Sequence, residues 1–400
     1  MANANPIKDK KTGKVTGYQI RVYKGRDAEG RQLKPFSTVW RIPEGMTNPR
    51  TIRKELEKAK AQFENDCKAG LVAQEKQSFQ QYAKSFIALK GRDRKHRTVF
   101  RYEELFERIN PEIGYLKMTD IKPEHINRLC LKLAEEGQNK QTGGCLSAKT
   151  IREHYNLVHA VFAQAVKEGV VRFNPADAAT PPSCKKKEAE FLEIEDVEKI
   201  QKCLEKEPLK WRCIVELFIA TGARRGEVLG LKWKNIDFKH HTIKIADNLQ
   251  YTRDRGTYLD TTKTDEARTI SVDPSVLVLL QKHRNEQALI RFRLGEAWHD
   301  GGFVFTQKDG KPMNPNSVTD YLGKFCKKYD LPHVHPHTFR HTHISALISN
   351  GVDVVTVAKR AGHKQVSTTE DIYAHVLAQA DIRAGDVISE VFYKKNAKQA

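Results

Sequence analysis

The stretch "HPHTFRHTHIS", residues 335–345, carries four histidines and one arginine, with His333 two residues upstream. Histidines at this density suggest a metal. His337 and His341 are spaced i, i+4, so a helix would set them on one face. A zinc-peptidase helix would place a glutamate between them, as in HExxH. Here the intervening residues are Thr338, Phe339 and Arg340, and an arginine beside the ligands would repel a dication. No cysteine pair lies nearby to complete a structural site. Neither a metal nor a cofactor is expected. An anion fits better. Pro336 suits the first position of a helix, whose start offers backbone N–H groups and the positive end of its dipole. His337 and Arg340 share a face at i, i+3. A planar guanidinium makes two parallel hydrogen bonds to phosphate oxygens. The pattern reads as a phosphate clamp with a titratable neighbour, although HxxR alone is a weak signal.

The bulk properties agree with an anionic partner. The 400 residues suggest two or three domains. The net charge of +19 creates a field that attracts polyanions, nucleic acid first among them. The N-terminal residues MANANPIKDKK contain no apolar signal-peptide core, and runs such as Val352–Val357 are too short to span a bilayer. Seven scattered cysteines without a CxxC pair point to reduced thiols in the cytoplasm.

Along the chain, "TGYQIRVYKG" alternates at period two and "PFSTVWRI" reads as its partner strand. Tyr18, Tyr23, Phe36 and Trp40 are candidate core residues. The following stretch reads as one helix, with Asn48 as N-cap, Pro49 at the first position and Gly70 as the stop. Residues 77–180 show four helical segments, each ending near glycine, with the basic loop "KGRDRKHR" (90–97) after the first. "AATPPSCKKKEAE" (178–190) combines two prolines, a lysine run and no periodicity, and marks a boundary. The expected fold class is α+β and multi-domain. A small β-sheet-plus-helix domain (1–75) precedes a helical domain (76–180), a linker (181–190) and a mainly helical domain with a small antiparallel sheet (191–400).

That last region carries further candidate groups. "ATGARRGEVLGLKWKNID" (220–237) places Arg224 and Arg225 in a glycine-flanked turn, with Glu227 able to orient an arginine. "YLDTTKTDEARTISVD" (258–273) reads as a hairpin with Lys263 near its turn. "KRAGHKQVSTTEDIYAHV" (359–376) offers His363 and Tyr373. The motifs TGARRGE, TKT, HTFRH, AGH and STTEDIYAHV, in this order, resemble the tyrosine recombinase, or phage-type integrase, family. The resemblance spans roughly residues 190–385. It extends more weakly to a core-binding domain near 77–180 and to an N-terminal sheet similar to the arm-binding domains of integrases of conjugative transposons and temperate phages.

The resemblance implies a site-specific DNA recombinase that integrates and excises a mobile element through a 3′-phosphotyrosine and a Holliday junction. Tyr373 matches the nucleophile. Arg224 and Arg340 would hold the non-bridging phosphate oxygens, Lys263 would protonate the leaving 5′-hydroxyl, His337 would act as acid or base, and His363 would donate to the phosphate. Glu227 matches the supporting acidic position. Arg225 reads as a DNA or surface contact. His341 and His375 read as structural, and His333, His335 and His343 as surface or turn residues. Phe339 and Ala361 stand where the family often has leucine. The implied partners are double-stranded DNA at core and arm sites, four protomers on that DNA, and an excisionase or DNA-bending protein. Val387, Ile388 and Val391 suit contact with a neighbouring protomer or with their own domain. The rival readings are a type IB topoisomerase, a non-catalytic DNA-binding regulator, a metal hydrolase and a basic RNA-binding protein. The N-terminal sheet argues against the first, and the full set of reactive residues against the second.

Overall fold

The computed structural model describes residues 2–9, 12–23, 25–26, 29–33, 35–68, 77–139, 142–184, 191–261, 267–363 and 365. The chain divides into two units, residues 1–185 and 186–400. The architecture is α+β and mostly helical, with small antiparallel sheets.

In the first unit, strands β1 (Asn3–Lys8), β2 (Val15–Val22) and β3 (Phe36–Arg41) form an antiparallel sheet in that order. Ile20 and Val22 turn one face of β2 onto Leu56 of α1 (Pro49–Lys68). Tyr18 lies opposite Trp40, their rings 6.2 Å apart, and both pack on this core with Phe36. Tyr23, expected in the core, is instead 50% exposed. It follows the end of β2 at odd parity, so the alternation that buries Ile20 and Val22 turns it outward. Helix α1 starts as its sequence predicts: Asn48 Oδ1 accepts the Arg50 N–H at 3.0 Å. The expected stop at Gly70 lies outside the described residues.

The four helical segments are α2 (Phe79–Lys90), α3 (His96–Ile113), α4 (Pro123–Leu133) and α5 (Ala148–Lys167). Ser78 accepts from Gln81 N–H, and the Gln81 side chain accepts from Ser78 N–H, a reciprocal cap that fixes the start of α2. Ser147 caps α5 through Thr150 N–H at 3.2 Å. The apolar faces meet in a core that includes Phe79, Ile109, Ile126, Val158 and Phe162. Arg92, Arg94 and Arg97, from the basic stretch between α2 and α3, are exposed.

The second unit begins with α6 (Ile194–Leu204), α7 (Leu209–Thr221) and the short α8 (Arg225–Leu229). Strands β4 (Ile236–Asp237), β5 (Thr242–Ile245), β6 (Asp247–Thr252), β7 (Gly256–Thr261) and β8 (Arg268–Ser271) follow, then α9 (Pro274–Leu294), α10 (Asn316–Tyr329), α11 (Pro336–Ser349) and α12 (Val354–Ala361). The hairpin expected across Lys263 is not formed by the described strands. β7 pairs with β6 through a tight turn ending at Gly256, whose φ of +70° suits glycine, while β8 pairs with β5 in a separate sheet ordered β4-β5-β8. Two ladders therefore flank the segment that holds Lys263, which itself lies outside the described residues. Among the described residues, no helix is long and apolar enough to cross a membrane.

Helix α11 lies against α7 and α12. Phe339 stacks on Phe218 of α7 with ring centroids 6.2 Å apart, and both are essentially fully buried. The aromatic at 339 therefore fills core volume directly behind the arginine that follows it. Phe339→Ala is expected to cost about 3–5 kcal/mol, and Phe339→Leu less than about 2 kcal/mol because most of the volume remains. Urea unfolding of both variants checks this; equal losses would mean the ring is not what supports α11.

Candidate active site

The start of α11 is set by His335 and Pro336. His335 has an extended backbone, and its Nδ1 accepts the Thr338 N–H at 3.1 Å. The surface or turn histidine is thus the helix cap. This start leaves His337 exposed on the rim and turns Arg340 inward, where it is 4% exposed.

Arg340 is anchored on backbone carbonyls. Its Nη1 donates to the Gly222 carbonyl at 2.8 Å and its Nη2 to the Ala361 carbonyl at 2.7 Å. Gly222 is the left-handed cap of α7 and Ala361 the last residue of α12. Helix C-termini expose unsatisfied carbonyls and the negative end of the dipole, so two such ends stabilise one cation. Arg224 uses the same device once. Its Nη2 donates to the Gly362 carbonyl at 2.9 Å, and its Nη1 to Glu227 Oε1 at 2.8 Å. The Arg224 backbone N–H donates to the other carboxylate oxygen at 2.9 Å, which caps α8. The two arginines predicted as a pair are therefore anchored on adjacent carbonyls of one turn.

Glu227 is 1% exposed. Burial alone would raise its pKa. The hydrogen bond and charge of Arg268, followed by the charge of Arg224 and its backbone hydrogen bond, outweigh this and hold the carboxyl at about 2. Arg268 donates from Nη2 to Glu227 Oε2 at 2.6 Å and from Nε to the Arg360 carbonyl at 2.8 Å. Sequence reading did not single out Arg268. Its signal was positional: it shares the inward parity of β8 with buried Ile270. Arg225, one residue from Arg224, is partly exposed and donates to Thr319 Oγ1 at 2.9 Å.

The neighbouring histidines are held neutral near pH 7. His363 follows the left-handed Gly362, where an added Cβ would meet Arg268 Nη1 at 2.7 Å. Desolvation, then Arg340 and Arg224, lower the His363 pKa to about 4. Desolvation and then His337 and Arg340 do the same to His341. His337 is also lowered, by its crowded surroundings first and then by Arg340, His335, Arg224 and Arg225. His343 is no surface residue: it is partly buried against Gly222, and its pKa falls to about 4, chiefly through burial. Among the described residues, no group of three or more His, Cys, Asp or Glu side chains is arranged to hold a metal. Arg224, Glu227, His337, Arg340 and His363 thus belong to one assembly. Lys263 and Tyr373 lie outside the described residues, as do His375, Val387, Ile388 and Val391.

Comparison with known proteins bears on this arrangement. Residues 190–380 match the phage integrase family, and residues 78–134 match the phage integrase N-terminal SAM-like domain. The chain is 28% identical over 319 residues to the tyrosine recombinase XerC-like protein of Caldanaerobacter subterraneus subsp. tengcongensis, covering 75% of this chain and 79% of that protein. It is 28% identical over 248 residues to the ICEBs1 integrase of Bacillus subtilis, covering 62% of this chain and 67% of that protein. Its fold is similar to the solved Tn1549 transposon integrase in complex with a circular intermediate DNA, with a TM-score of 0.64 and 23% identity over 77% of this chain and 99% of that one. The chain belongs to the phage integrase family of tyrosine recombinases, enzymes of site-specific recombination that cleave and religate DNA.

Neutral histidines at His341, His343 and His363 carry a stability signature. The unfolded chain takes up protons below about pH 6.5, whereas the native histidines stay neutral to about 4. Their contribution is unaffected above pH 6.5, and stability is lost below it, by at most about 1.4 kcal/mol per pH unit for each histidine. Glu227, held near 2, still stabilises the fold throughout this window. The urea midpoint is expected to fall steadily from pH 6.5 to 5; a flat midpoint would mean that these rings protonate in the native state.

Proposed function

We propose that this chain is an integrase that binds double-stranded DNA and exchanges strands through a 3′-phosphotyrosine at Tyr373. The observation that carries the reading is the anchoring of Arg224 and Arg340 on the successive carbonyls of Gly362 and Ala361. Two guanidiniums fixed this closely suit the non-bridging oxygens of one phosphodiester, where negative charge grows in the pentacoordinate transition state. The net charge of +19 supports a DNA partner.

In this reading the Tyr373 hydroxyl attacks the scissile phosphorus, a P–O bond to tyrosine forms and the bond to the 5′-oxygen breaks. Tyrosine ordinarily ionises near pH 10, so it needs a base. His337, kept neutral by its surroundings and the nearby arginines, suits that task on the rim of the site. Lys263 gives its proton to the departing 5′-oxygen. Neutral His363 donates one N–H to the phosphate. The phosphotyrosine conserves the ester linkage, so a 5′-hydroxyl of another duplex reseals the strand without ATP or metal. Residues 1–75 then serve arm sites and residues 76–180 core sites. Strand exchange proceeds through a Holliday junction held by four protomers, with an accessory DNA-bending or excision protein, to integrate and excise a mobile element. The reaction places the protein on the bacterial chromosome.

The test is a nicked duplex spanning the joined ends of the DNA element that carries the gene, incubated with chelator present. A covalent protein–DNA band is expected with the wild type and is expected to vanish in Tyr373→Phe. A band that persists in the variant would move the nucleophile elsewhere, and a band abolished by chelator would restore the metal reading of the histidines.

A further inference from the structure

Behind the two arginines lies a second layer that the strand-transfer chemistry does not itself use. His343, about two turns beyond the start of α11, stands between the end of α7 and Arg360 of α12. Its Nδ1 is 2.8 Å from the Ile219 carbonyl, and its Nε2 is 3.1 Å from Arg360 Nε. A carbonyl can only accept and a guanidinium can only donate, so the ring must carry its proton on Nδ1 and accept at Nε2. Arg360 continues outward. Its Nη2 donates to the Ala220 carbonyl at 3.0 Å and to the Ser271 carbonyl at 2.9 Å. Its own carbonyl accepts from Arg268.

These bonds join the segments on which the site arginines rest. Ile219 and Ala220 lead directly into Gly222, whose carbonyl holds Arg340. Arg360 directly precedes Ala361 and Gly362, whose carbonyls hold Arg340 and Arg224. Arg268 links the Arg360 carbonyl to Glu227, which aims Arg224. Gly222 fits this contact tightly: an added Cβ would lie 2.6 Å from the His343 ring.

We propose that His343 and Arg360 are positioning residues for strand cleavage, a neutral imidazole–guanidinium strut that fixes the distance between the carbonyls holding Arg224 and Arg340. The inference rests on the phosphodiester reading of the site. The charged groups facing the ring are Arg360 from α12 and Arg340 from its own helix, while α7 presents backbone carbonyl and the Gly222 turn. A proton on Nε2 would set donor against donor and cation against cation, so the ring acts in its neutral form. Burial and the two guanidiniums favour that form.

Two measurements test the proposal with the full-length protein. The first compares wild type, His343→Phe, His343→Gln and Arg360→Met on the nicked duplex, reading single-turnover adduct formation and DNA affinity separately. Phenylalanine keeps ring bulk and loses both bonds, whereas glutamine keeps an acceptor for Arg360. Adduct formation is expected to slow by about 10- to 100-fold in His343→Phe and Arg360→Met at unchanged DNA affinity, and to recover most of its rate in His343→Gln. Wild-type rates in all three variants would overturn the proposal. So would a loss of affinity that matches the loss of rate, which would mark a merely structural role. The second is nitrogen-15 NMR of the histidine rings, with His343 assigned by the signal missing in His343→Gln. The Nδ1–H tautomer is expected to persist from pH 8 to 5; an Nε2–H tautomer, or protonation near the ordinary value of about 6.5, would refute the strut. If the wild type forms no adduct while its ring shows the expected tautomer, the functional reading falls, and the positioning role falls with it.

Discussion

A single buried cation organises the second unit. Arg340 is withdrawn from water and held by the carbonyls of Gly222 and Ala361. A charge is expensive to bury. The cost is offset because both carbonyls belong to helix ends, where backbone acceptors lack intrahelical partners and the dipoles point their negative ends at the guanidinium. The arrangement needs α7 to stop at a left-handed glycine, α12 to stop at another, and α11 to start so that residue 340 faces between them. Pro336, the His335 cap and the stacking of Phe339 on Phe218 meet the last requirement.

The same choice of partners gives the site its charge. Arg224 and Arg268 share one carboxylate, Glu227, while Arg340 and Arg360 donate to backbone carbonyls. Had each arginine been matched by its own Asp or Glu, the pocket would be electrically closed and would gain little from an anion. A carbonyl anchor fixes a guanidinium without neutralising its charge. That is the condition under which preorganised donors stabilise charge developing on a phosphate without reorganising. Burial first, and the charge of the nearby arginines after it, depress the pKa values of His337, His341, His343 and His363, and the same arginines would repel a dication.

Legibility in the sequence followed the range of the interactions. The cap at Asn48, the helices of the first unit and the alternation of β2 depend on neighbours within a few residues, and periodicity and capping chemistry identify them. The pairing of β7 with β6 rather than β8 depends on which of two ladders claims each strand, and local alternation around Lys263 fits a hairpin equally well. Tyr23 shows the same limit at the scale of one residue, since strand parity is clear only once the strand end is known. In the site, Arg224, Glu227, His337, Arg340 and His363 were legible because their motifs carry a family pattern. Arg268, Arg360 and His343 were not. Their meaning lies in contacts to residues between 17 and 140 positions away, and nothing adjacent distinguishes them from surface charge.

The histidines bring these threads together. Read as a string, 335–345 is a repetitive cluster; in three dimensions its members differ by what each ring faces. His335 faces its own helix start and caps it, His337 faces the rim beside the arginines, and His343 faces the carbonyl ends of α7. Fewer than two helical turns separate a titratable group at the surface from an imidazole locked as a neutral spacer. The spacing that places His337 and Arg340 on a common face also commits the next turn to the opposite task of holding the scaffold still. In the proposed reading, reactivity at the mouth of the site and rigidity behind it follow from the same 3.6-residue repeat.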